Sequence, residues 1–132
     1  MVQRLDGRMV NAGRKRGMLI VCATGCCCGI VERGFAPVPR DLYHEEWERR
    51  KLRNKVHLNQ GGCLGPCPLA NVAMLLLDGR PYWFHSLNDE ALIVALYDYI
   101  DALLAAERHI APPPLLAPHM FNGFAWDGAG DR

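Results

Sequence analysis

Gly61-Gly62-Cys63-Leu64-Gly65-Pro66-Cys67-Pro68, with the apolar run Val72–Leu77 close behind it, is the most informative stretch of this chain. Its glycines and prolines exclude a helix and make it a loop that carries two cysteines. Small residues on either side let backbone N–H groups approach whatever the thiolates hold. Val72–Leu77 reads as a buried strand, Asp78-Gly79 as a hairpin turn and Pro81–Phe84 as the partner strand. On the other side of the loop, Lys55-Val56-His57-Leu58 alternates polar and apolar residues, as a short strand does.

Working outward, Met18-Leu19-Ile20-Val21-Cys22 is a second apolar run, bounded by Gly17 and by Thr24-Gly25. It reads as a buried strand that ends in another cysteine group, Cys22, Cys26, Cys27 and Cys28. Gly29 to Pro39 is a loop. Asp41 is expected to cap a helix running to about Asn54, with Glu45–Arg49 and Glu46–Arg50 as supporting ion pairs. Its partial stripe of Leu42, Tyr43, Trp47 and Leu52 leaves that helix half exposed. Ser86, with Asp89 three residues on, is expected to open the next helix as a capping box. Leu92, Ile93, Leu96, Ile100, Leu103 and Leu104 recur with helical period along it.

The order strand, helix, strand, cysteine loop, strand, strand, helix gives one α/β domain over residues 18–108, with helices packed on a mixed four-stranded sheet. Residues 1–17 hold five basic residues and one acidic, without apolar periodicity, and read as a flexible basic tail. Residues 109–132 begin in a proline run and carry Phe121, Phe124 and Trp126, too aromatic for a linker. They are expected to strap across the domain or dock on a partner.

Half of the 132 residues are hydrophobic and 22% are charged, which excludes wholesale disorder. A formal charge of +1 supplies no field for gripping nucleic acid. No apolar run approaches the roughly 18 residues of a membrane span, and the start does not read as an export signal. The expectation is a soluble cytoplasmic protein. Six cysteines in two tight groups are a poor disulfide framework, since neighbours compete for one partner. Four thiolates in two loops at one end of a sheet suit a tetrahedral zinc or an iron–sulfur cluster. Neither group opens a helix, as a dithiol oxidoreductase requires. His44, His57, His85, His109 and His119 are candidate ligands only if the thiolate set is incomplete. Trp47, Tyr82, Trp83 and Phe84 read as packing.

The Gly-Gly-Cys63-Leu-Gly-Pro-Cys67 element followed by a strand resembles the thioredoxin-like [2Fe–2S] ferredoxins. The same module occurs in the small iron–sulfur subunit of NADH dehydrogenases and related hydrogenases. That subunit separates its first ligand pair by four residues, the two pairs by about thirty-five, and the second pair by three. Cys22, Cys27, Cys63 and Cys67 reproduce this spacing. The resemblance covers Met18 to about Arg108 and implies a thioredoxin-like fold and a [2Fe–2S] cluster on those four cysteines, with Cys26 or Cys28 as alternatives to Cys27. It implies a one-electron carrier rather than an enzyme, whether free or as an oxidoreductase subunit. Its partners would be a reductase and an acceptor enzyme, and a homodimer is compatible with it. The triple cysteine and the Trp126-bearing tail are similar to small ferredoxins encoded beside cobalamin-biosynthesis enzymes, which implies an acceptor of that kind. All-cysteine centres of the plant type lie near about −400 mV. The chain departs from the family in carrying Asn71 where a cis-proline is usual. The competing functions are a zinc-binding or metal-delivery module and a thiol–disulfide oxidoreductase.

Overall fold

A computed structural model describes residues 1–23 and 28–123, with Cys67 described in its backbone only. Phe124, Trp126, Cys26 and Cys27 lie outside the described residues.

The first residues are not featureless. Val2–Gln3 (β1) and Met9–Val10 (β2) pair antiparallel around Asp6-Gly7, whose glycine has φ +90°. At the end of this arm Arg16 forks onto Asp78, with Nη2 to Oδ2 at 2.8 Å, and Nη1 donates to the Leu104 carbonyl at 3.2 Å. The basic segment is thereby tied to the domain at its C-terminal end.

Gly17–Cys22 (β3) alternates as expected of a strand between two environments. Leu19 and Val21 are buried in the main core, whereas Cys22 enters a second apolar cluster with Trp83. Arg40–Arg49 (α1) is shorter than the expected helix, and its first residue follows Pro39, which occupies the cap position without a side-chain hydrogen bond. Asp41 is therefore not the cap but lies in the first turn, where its charge complements the helix dipole. The helix stops because the chain turns at Lys51, φ +57°, which brings Leu52 into the core at 1% exposure. The expected Glu46–Arg50 pair forms at 3.0 Å, while Arg49 also turns to Glu46, at 2.8 Å.

Val56–Gly61 (β4), Ala73–Leu77 (β5) and Arg80–Phe84 (β6) follow, each within a residue or a few of its expected place. Asp78 and Gly79 both have positive φ, the conformation that a two-residue hairpin turn demands. Glu90–Ala106 (α2) buries every residue of its expected stripe. Its cap is Asp89, not Ser86: Asp89 Oδ1 accepts from Leu92 N–H at 2.9 Å, while Ser86 has φ +52° and its hydroxyl meets His85 Nδ1.

The expected four strands become five. Met120–Phe121 (β7) pairs antiparallel with β6, placing Phe121 opposite Trp83 and Met120 opposite Phe84. The sheet order is β4-β3-β5-β6-β7, with β3 and β4 parallel and the remaining pairs antiparallel. A two-residue strand is too short to show a period of two, so nothing in the sequence separates it from a loop. Upstream of it the chain is also held: Tyr99 donates to the Ile110 carbonyl at 2.7 Å, and Leu116 is fully buried. The described part of the extension is a strap across the domain.

Both helices share one face of the sheet, where Leu75, Phe84, Leu96 and Ile100 make the main core. Arg50 links the helices through Glu46 on α1 and Asp98 and Asp101 on α2. No helix among the described residues is long and apolar enough to cross a membrane.

Candidate metal centre

Because β3 and β4 are parallel, their C-terminal ends leave the sheet side by side, with Cys22 in register with Gly61. Loops beyond the carboxyl ends of parallel strands are where α/β sheets place ligands. The ends are sewn together: Cys22 N–H donates to the Val72 carbonyl at 3.1 Å and Ala23 N–H to the Gly61 carbonyl at 2.8 Å. Cys22 and the loop that carries Cys63 are thus brought to one corner of the domain.

Cys22 and Cys28 are 2% and 3% exposed and belong to an apolar cluster with Ala70, Val72 and Trp83. Phe35, Val38, Leu64 and Phe121 pack around it. Burial, then a hydrogen bond with the Cys22 thiol, pushes the Cys28 thiol up to about 12, against a backbone hydrogen bond from Val72. Cys63 is near enough to add to this shift, yet it is itself exposed. Its Sγ accepts from Gly65 N–H at 3.3 Å, across a turn in which Gly65 has φ +116°. Cys67 opens the single 3-10 turn Cys67–Leu69, whose last residue is anchored by Ser86 N–H to the Leu69 carbonyl at 2.9 Å.

Of the cysteines assigned by resemblance, the structure places Cys22 in the apolar cluster beside Cys28 and Cys63 exposed in the loop that follows β4. Among the described residues, no group of three His, Cys, Asp or Glu is arranged to hold a single metal ion. The histidines lie elsewhere. His57 is exposed on β4, and His44 is exposed on α1 and 3.8 Å from Glu48. His109 stacks on Tyr82, and His85 and His119 face one another at 5.7 Å beside β7.

One residue that sequence reasoning valued only as a missing proline is central. The Ala70–Asn71 peptide bond is cis. Asn71, 3% exposed, accepts from Gly29 N–H through Oδ1 and donates to the Ala36 carbonyl through Nδ2, both at 2.8 Å. The signal was present as a lone amide within the apolar stretch Leu69-Ala70-Asn71-Val72-Ala73. Gly123 was also missed: a Cβ there would lie 2.2 Å from Trp83 Cε2, so the strap passes directly over the indole.

No family model, curated protein or solved structure matches the chain.

Proposed function

We propose that the chain is a thioredoxin-like [2Fe–2S] ferredoxin, carrying single electrons between a reductase and an acceptor enzyme. Cys22, Cys63, Cys67 and one thiol of the Cys26–Cys28 triplet would hold the cluster. The observation that carries this reading is that Cys22, packed with Cys28, ends β3 in register with the end of β4, from which the loop bearing Cys63 departs. Support for the thioredoxin-like assignment comes from the connectivity. A parallel β3–α1–β4 unit is followed by the β5–β6 hairpin and α2, with both helices on one face.

The donor set fits the group. A [2Fe–2S] cluster takes two thiolates per iron, so it does not need three ligands converging on one ion. When bound, the cluster would supply the one-electron couple. The rest is the work of this chain. Phe35, Val38, Leu64 and Trp83 keep water from Cys22 and Cys28. Gly65 N–H donates to the Cys63 sulfur and stabilises negative charge there. Cys63, being exposed, gives electrons a short way to a docked partner. Thiolate ligation also suits the reducing cytoplasm expected from the sequence.

A thiol–disulfide enzyme is the weaker reading, because an attacking cysteine needs a lowered thiol pKa and Cys28 is pushed the other way. The test is anaerobic reconstitution with ferrous iron and sulfide, followed by metal and sulfide analysis. Equal iron and sulfide, with visible absorption that dithionite bleaches, supports the proposal. A colourless chain that holds zinc in the presence of ample iron overturns it.

A further inference from the structure

The resemblance selects Cys27 by spacing, yet the structure carries a device that acts on its neighbour. Asn71 sits at the threshold of β5 and is fixed there by its backbone: Leu87 N–H donates to its carbonyl at 3.0 Å, and its own N–H donates to Asn88 Oδ1 at 3.3 Å. From this fixed base the side-chain amide spans the two ends of the loop that follows the cysteine triplet. Its oxygen holds Gly29 N–H, the peptide adjoining Cys28, and its nitrogen holds the Ala36 carbonyl. The Gly29 turn has little freedom, since φ is +77° and a Cβ would come within 3.2 Å of Val38 Cγ2. Cys28 is consequently held 3% exposed, in one apolar cluster with Cys22.

Building on the cluster proposed above, we infer that Cys28 is the first-loop ligand paired with Cys22, and that Asn71 is the positioning residue that selects it by holding the Gly29 N–H. On ligation the Cys28 sulfur bonds iron and its thiol proton leaves to solvent, with no change of oxidation state. The two hydrogen bonds of the amide have separate tasks. The oxygen fixes the cysteine end of the loop, and the nitrogen closes its far end.

Two sets of variants test this. In reconstituted protein, Cys28→Ser is expected to lose its iron and sulfide or to change its EPR spectrum, while Cys27→Ser keeps the wild-type content and spectrum; the reverse result overturns the choice of Cys28. The second set needs no cluster. In metal-free, reduced, folded protein, alkylation mapped by mass spectrometry is expected to modify Cys63 rapidly and Cys28 slowly. Asn71→Ala should raise the Cys28 rate by about tenfold, the scale of one lost hydrogen bond. Asn71→Asp keeps an acceptor for Gly29 N–H but loses the donor to the Ala36 carbonyl, so it should recover part of the protection, and more of it at acidic pH, where a protonated carboxyl can donate again. Equal effects of alanine and aspartate, or no effect of alanine, overturn the positioning role. If no variant and no wild-type sample takes up iron, the ferredoxin reading falls, while the alkylation pattern still decides the role of Asn71.

Discussion

Glu46 is a charged side chain in a buried setting, and its partners determine how it behaves. Hydrogen bonds from Arg49, then from Arg50, hold its carboxyl at about 2 instead of the ordinary 4.5, against the opposing effect of burial. A depressed carboxylate pKa stabilises the fold above the ordinary value, and that contribution is lost as pH falls from about 4.5 towards about 2. Glu46→Gln should cost about 2 kcal/mol at neutral pH and flatten the acid limb of a urea-denaturation series between those values. Gly17 has a different kind of constraint. A Cβ there would stand 2.0 Å from the Leu76 carbonyl oxygen, a backbone atom that moves only with its strand. Gly17→Ala should therefore cost ~2 kcal/mol or more in the same assay, although the sequence presents this glycine merely as a boundary. At the cysteines, Cys63→Ser should abolish stable cluster assembly, because its loop offers only Cys67 besides. Wild-type iron content in that variant would remove Cys63 from the ligand set.

Among the elements, β7 has the most conditional hold on the sheet. His85 N–H donates to the His119 carbonyl at 2.8 Å, His119 Nδ1 lies 3.0 Å from the His85 carbonyl, and the rings face one another. Burial, and then His119, lower the His85 pKa, so the folded strap favours the neutral ring. The stabilisation is present above the ordinary imidazole value of about 6.5 and is lost as pH falls below it. The protection of the Phe121 amide, measured against its intrinsic exchange rate at each pH, should fall in mildly acidic buffer while the β3–β5 amides stay protected. His85→Gln should remove most of that dependence. Elements with a long repeating pattern, such as α2 and the β5–β6 hairpin, could be read from sequence because each residue repeats the same message. The ends of α1 could not, since its start depends on Pro39 and its stop on the turn at Lys51 that buries Leu52. β7 exists only because β6 offers an open edge.

For the molecule as a whole, the sequence led to the expectation of two cysteine loops at one end of a sheet, and the parallel β3 and β4 do end side by side, with Cys22 opposite Gly61. The sequence could not reveal that Cys28 is buried, because the loop beyond it is held by Asn71, a residue just ahead of β5 and far away in sequence. A strap was one of the two expectations for the aromatic extension, but its course over Trp83 was hidden, as Phe121 and Gly123 act through pairing with β6 and through a close approach to the indole.

The place of β3 in the middle of the sheet also sets an order of assembly. Synthesis delivers β3 early, but one of its neighbours lies beyond α1, and the other beyond β4 and the second cysteine loop as well. Pairings distant in sequence form slowly, after local helices and hairpins. On the ribosome, therefore, Cys22 and Cys28 emerge long before Val72 and Trp83 can enclose them. During that interval the nascent thiols are open to stray metals and oxidants, and enclosure comes only when β5 and β6 arrive. Chains arrested before Val72 should react with a thiol reagent at both cysteines, and release of the complete chain should end that reactivity at Cys28.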